Sequence, residues 1–103
     1  MKLTIMREPS KAVKDADVPY TDVWVSMGED SEEKQRMKAF QGYQVNAALL
    51  KGAKRDAVVM HCLPAHRGLE ITEDVIEGDR SIVWQQGANK LYSAASVLEY
   101  CLK

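Results

Sequence analysis

The chain has 103 residues, 46% of them apolar and 28% charged, and its 14 basic side chains against 15 acidic ones leave a formal charge of −1. One domain fits that length, and the composition is that of a globular protein, lacking both the low hydrophobicity of a disordered chain and the roughly 18-residue apolar run of a membrane span. The even charge balance supplies no basic stripe for nucleic acid, so neither nucleic acid nor a membrane is an expected partner.

The opening MKLTIMREPSK has too short an apolar run for a secretory signal, which points to the cytoplasm. Cys62 and Cys101 are far apart and outside any CxxC spacing, so free thiols are expected rather than a disulfide. Lys2–Met6 alternates polar and apolar residues with the period of a short strand. Ser10 can cap a short helix through SKAVKDA, with Ala12, Val13 and Ala16 turned inward. Val18–Val25 (VPYTDVWV) is β-branched and aromatic and predicts a second strand, with Pro19 at its start because it lacks an N–H.

Ser26-Met27-Gly28 breaks that pattern, and the acidic run from Gly28 to Lys34 opens a helix predicted from about Asp30 to Phe40. A second helix is expected over Asn46–Lys51, stopped by Gly52. Ala57–His61 is a continuous apolar run, the pattern of a strand covered on both faces. Thr72–Ile76 predicts one helical turn and Ser81–Trp84 a short fourth strand. Asn89–Leu102 places Leu91, Ala94, Ala95, Leu98 and Cys101 at helical spacing, an amphipathic final helix.

Strands alternating with helices imply an α/β fold, a three-layer half-Rossmann-like domain with about four mostly parallel strands and flanking helices. Such sheets bind ligands at the carboxyl ends of their strands. Two polar clusters fall there: Asp22 to Gly28, and His61 to Gly68. A thiol at that position can serve as nucleophile, metal ligand or substrate contact. Sequence neighbours on a strand face opposite ways, so His61 is poorly placed to activate Cys62, and His66 is the better candidate base. His61, Cys62 and His66 match no closed zinc spacing, so no metal or other cofactor is expected. Arg67 has the planar fork that suits phosphate or carboxylate, although a solvated loop arginine has the same sequence signature. Asp22 lies among apolar neighbours, so its carboxylate must face the strand end or meet a cation.

Together, YTDVWVSMG at Tyr20–Gly28, FQGYQVN at Phe40–Asn46, MHCLPAHRG at Met60–Gly68 and the following ITEDVIEG strongly resemble ornithine carbamoyltransferase, in matching order and spacing. That family transfers a carbamoyl group from carbamoyl phosphate to the δ-amino group of ornithine. The resemblance implies that Asp22, Ser26 and Met27 hold ornithine and that Cys62 and Leu63 lie against the reacting groups. Cys62 is then a positioning residue, not a covalent catalyst, with His61 and Pro64 shaping its loop and Arg67 in the segment beyond.

The likeness extends more weakly to the final helix. Where the family carries an acidic-Asn-Arg motif that helps hold carbamoyl phosphate, this chain has Ala88-Asn89-Lys90, and Tyr92 and Ser93 also differ. Lys90 is a poorer bidentate donor than arginine. The family's Ser-Thr-Arg-Thr phosphate grip has no counterpart in the sequence, nor do the first two strands of its ornithine domain.

The resemblance therefore covers the second half of one of two domains, with residues 1–103 as a single unit and Met1 suggesting an excised or engineered piece. Three functions follow as expectations: a folded but catalytically silent relative, a weak ornithine-binding remnant, or a folding and self-association module. Loss of two strands would bare a sheet edge, so Lys2–Met6 is expected beside the second strand, or two copies as a homodimer.

Overall fold

The computed structural model describes residues 1–26 and 32–103. Pro9 opens the first helix, α1 (Pro9–Ala12), where its missing N–H costs nothing. The helix ends near Asp15, which has a positive φ of 56°, a conformation Asp tolerates better than most residues. From there the backbone zips against the segment before the HCLP motif: Asp15 N–H donates to the Gly52 carbonyl, Lys54 to Ala16, Val58 to Asp17 and Met60 to Pro19. The zipper leads into a two-stranded parallel sheet, β1 (Tyr20–Thr21) beside β2 (Met60–His61), in register Tyr20 to Met60 and Thr21 to His61. Pro19 sits immediately before β1 and contributes only its carbonyl to the ladder, as its chemistry requires.

Between the strands lie α2 (Glu33–Ala39) and α3 (Ala47–Leu50). Asn46 caps α3, its side chain accepting the Leu49 N–H at 2.9 Å. Trp24 stacks on Phe40, and Phe40 meets Tyr43 edge-on, each pair at 6.2 Å. After β2 come α4 (Glu73–Ile76) and the long α5 (Val83–Leu102). The core is Val45, Leu50, Val59, Ile71, Val75, Ile76 and Val83, with Leu49, Leu63 and Ala65 against it. Isolated parallel bridges join Val59, just before β2, to Ser81, and Val45 to Ile71.

The α/β class holds, with helices around a parallel sheet, but the expected four strands reduce to two among the described residues. Lys2–Met6 forms no strand and pairs with no neighbour among the described residues: Leu3 and Ile5 are 83% and 87% exposed. Its alternation marks a segment able to be a strand, and a strand needs an adjoining edge. The placement of this segment beside β1 is thereby overturned.

Ser81–Trp84 is not a strand either. Val59 N–H donates to the Arg80 carbonyl and Ile82 N–H to the Val59 carbonyl, which makes a one-residue bridge. Gln86 N–H then bonds the Ile82 carbonyl, so the chain is already turning into α5. Helical closure overrides the β-branched composition there.

The final helix thus begins six residues earlier than its periodicity suggested, at Val83 rather than Asn89. Its apolar stripe is not inside the core: Leu91, Val97, Leu98, Tyr100 and Leu102 are all more than half exposed. With this helix and the exposed N-terminal segment both outside the core, the radius of gyration is 15.6 Å, against about 13 Å for a compact domain of this length.

Candidate functional site

Parallel register decides the site. Because Thr21 stands opposite His61, the next residues, Asp22 and Cys62, emerge side by side at the carboxyl ends of β1 and β2. Cys62 Sγ donates to Asp22 Oδ1 at 2.8 Å, and the Val23 N–H reaches the same oxygen at 2.7 Å. Asp22 is exposed and faces the strand end, so the first of its two expected solutions is the one adopted.

The electrostatics follow from that contact. The thiol's hydrogen bond, then the Val23 amide, hold the Asp22 carboxyl below the usual carboxylate range. Burial pushes the Cys62 thiol up, and the hydrogen bond and negative charge of Asp22 push it further. At neutral pH the pair is a carboxylate beside a protonated thiol. A thiol held protonated is a poor nucleophile, whereas an exposed carboxylate at a strand end is a ready receptor for an ammonium group.

Around this pair the turn is held from two sides. Lys90, on α5, donates from Nζ to the Cys62 carbonyl. Gln86 Oε1 accepts the His61 N–H at 3.1 Å while its Nε2 donates to the Tyr20 hydroxyl at 3.0 Å, tying α5 to both strands. Leu63 has a positive φ of 54° and a cis bond to Pro64. Gly87 brings α5 against the turn, its position lying within van der Waals reach of the Leu63 side chain.

Of the residues expected at the site, Asp22, Cys62, Leu63 and Lys90 converge. Ser26 lines a separate cleft of about 210 Å³ with Trp24, Glu33 and His66. Met27 lies outside the described residues. His66, the candidate base, lines that Ser26 cleft, while the thiol of Cys62 is engaged by Asp22. Arg67 is drawn to α4 instead of standing as an open anion contact: its guanidinium pairs with Glu73 at 3.3 Å and Glu77 at 2.5 Å.

Sequence reasoning missed Glu70 and Gln86. Glu70 is fully buried, with Oε1 3.0 Å from His61 Nε2 and 2.6 Å from the His66 N–H. The available signal was a lone carboxylate between Leu69 and Ile71, since acids flanked by apolar residues are seldom buried without a partner. Gln86 had no such signal.

A parallel sheet flanked by helices, with a carboxylate and a thiol meeting at adjacent strand ends, places the chain among open α/β domains, whose ligand sites lie at that end of the sheet. Residues 1–101 match the model of the aspartate/ornithine carbamoyltransferase family, Asp/Orn-binding domain. The chain belongs to that family.

An ornithine carbamoyltransferase of Archaeoglobus fulgidus is 58% identical over 97 residues, 94% of this chain and 32% of the relative. The structure of ornithine carbamoyltransferase from Pyrococcus furiosus superposes with a TM-score of 0.80 at 56% identity, covering 88% of this chain and 29% of that one. That of ornithine transcarbamoylase from Giardia lamblia gives 0.86 at 32% identity, covering 96% and 30%. The chain spans about a third of the length of the curated relatives it matches.

Proposed function

We propose that this chain forms the ornithine end of a carbamoyltransferase site and that, alone, it binds ornithine weakly and performs no carbamoyl transfer. The observation that carries this is the Asp22–Cys62 contact at the carboxyl ends of paired parallel strands. Asp22 receives an amino group of ornithine; the resemblance assigns Ser26 and Met27 to the same hold, with Ser26 here lining the neighbouring cleft. Cys62 and Leu63 position the reacting end, and Lys90 anchors the turn through the Cys62 carbonyl. Residues 1–103 act as one unit corresponding to the second half of an ornithine-binding domain. Two free thiols support a cytoplasmic setting.

The silence follows from catalysis by positioning. Transfer requires both reactants to be held in line, and Lys90, the residue at the family's phosphate-holding position, is spent on a carbonyl of its own chain. Half a site also bears the ordering cost of binding with fewer contacts.

Calorimetric or amide-shift titration with ornithine tests the binding, and a citrulline assay with carbamoyl phosphate tests the silence. Saturable millimolar binding that disappears in Asp22→Asn, without turnover, is the expected result. Citrulline above background, or binding unaffected by Asp22→Asn, overturns it.

A second reading, self-association of this chain as a homodimer, is favoured by one feature, the apolar stripe of α5 left in solvent. Sedimentation across a concentration series decides it.

A further inference from the structure

We propose that Glu70 is a positioning residue for the Cys62–Pro64 turn, acting through His61 to fix the Leu63 amide; the role rests on that turn being the ornithine end of the site. Glu70 and His61 are both completely buried. The Leu63 N–H donates to His61 Nδ1 at 2.8 Å. With Nδ1 occupied as acceptor, the ring proton sits on Nε2, which faces Glu70 Oε1 at 3.0 Å. The same carboxylate oxygen accepts the His66 N–H at 2.6 Å, closing the far end of the loop.

The relay therefore runs from Glu70 through the imidazole to the backbone of Leu63, without a break. It ends where it is needed, because Leu63 has a φ of 54°, a region that side-chain-bearing residues seldom occupy. Cys62 is flanked by two held amides: the His61 N–H on Gln86 and the Leu63 N–H on His61. Fixing both neighbours fixes the Cα–Cβ direction of Cys62, from which Sγ reaches Asp22.

Packing alone gives no reason for a carboxylate at this place. Removing it from water is costly, and Glu70 Oε2 has no hydrogen-bond partner among the described residues. An apolar side chain would fill the volume without that cost. What it lacks is an acceptor able to set the His61 tautomer and hold the His66 amide together.

The test uses the full chain without ligand. Long-range proton–nitrogen NMR spectra report the His61 tautomer, and amide hydrogen exchange is followed at Leu63, at His66 and at Val59, whose N–H bonds the Arg80 carbonyl elsewhere in the sheet. The expected wild-type result is the Nε2–H form with a protected Leu63 amide. In Glu70→Ala, exchange at Leu63 and His66 accelerates by about tenfold or more relative to Val59, and the Nδ1–H tautomer appears, as loss of a buried acceptor requires.

Glu70→Gln keeps an acceptor oxygen and retains the tautomer and the Leu63 protection. It carries the comparison if the alanine variant does not fold. An Nδ1–H ring in the wild type, or equal acceleration at Leu63 and Val59, overturns the proposal. Ornithine titration of the wild type separates the two ideas: no ornithine-dependent shift removes the ornithine assignment while the relay stands, and a wrong tautomer does the reverse.

Discussion

Asp22 and Cys62, 40 residues apart in sequence, meet through a 2.8 Å hydrogen bond in which the thiol is the donor. The contact follows from one fact of register, Thr21 opposite His61. It also fixes the charge of each partner, a depressed carboxyl and an elevated thiol.

Alkylation of Cys62 checks this pairing. Its thiolate forms only above the ordinary thiol range, so iodoacetamide should modify it slowly at pH 8. Asp22→Asn removes the negative charge and should speed the reaction about 3- to 10-fold, because a thiolate is no longer repelled by its neighbour. Peptide mass spectrometry distinguishes it from Cys101, which is exposed near the end of α5. No rate difference between wild type and variant would show that the carboxylate does not govern the thiol.

The same pair gives stability a pH dependence with a definite sign. The folded chain holds the Cys62 proton more tightly than the unfolded chain, so this contribution is present at neutral pH and is lost as pH rises through the elevated thiol range. Asp22 acts at the other end: its depressed carboxyl gives a contribution present above the normal carboxylate range and lost as pH falls through the depressed one. Asp22 is exposed, so solvent screening keeps the acid effect small. Denaturant midpoints measured from pH 7 to 10 should fall for the wild type and fall less for Cys62→Ser.

Much of this site was legible in the sequence because strand-end logic needs only the positions of apolar runs. VVMH put Cys62 just past a strand, whereas VPYTDVWV was read as strand through Val25 and the ladder stops at Thr21, which is what brings Asp22 out of the strand to its end. The strands themselves were overestimated. A pattern such as KLTIM reports that one face can be buried, but pairing is a non-local event that depends on an available edge. SIVW likewise has strand composition, yet the Val59 ladder takes one residue of it before α5 begins. Glu70 stood out only as a carboxylate between Leu69 and Ile71, and its partners could not be read, because His61 and His66 lie across a loop closed by the Val45–Ile71 pairing.

That pairing gives Ile71 a double role. It is fully buried and its carbonyl accepts the Gly68 N–H, so it joins the core to the loop after the HCLP motif. Ile71→Ala should cost about 2–5 kcal/mol, the range for emptying a buried aliphatic site. A shifted denaturant midpoint with an unchanged slope would register it. A loss below that range would mean that the loop collapses readily into the space.

Local capping offers a smaller effect, independent of the core. Asn46 ends an extended stretch, and its side chain satisfies the Leu49 amide at the start of a helix only four residues long. Asn46→Ala should destabilise by about 1 kcal/mol, whereas Asn46→Asp, which keeps an acceptor, should lose only a few tenths. Equal losses for both would assign the effect to the Asn46–Gln44 side-chain contact at 3.3 Å instead.

The projecting helix supplies the last prediction. Leu91 and Leu98 are seven residues apart, on one face of α5, and are 71% and 61% exposed. Apolar side chains in that position gain by association, on the order of 25 cal/mol for each Å² removed from water. Replacing both with glutamate should abolish concentration-dependent sedimentation, because the stripe then carries two charges that cannot be desolvated cheaply. The substitutions lie outside the core, and the helix is anchored through Val83 and Gln86 rather than through its stripe. Helix content and Cys62 reactivity should therefore stay at wild-type values. If sedimentation is concentration-independent in the wild type, the homodimer reading fails. If the double variant unfolds, α5 depends on its stripe for folding rather than for contact with a second copy.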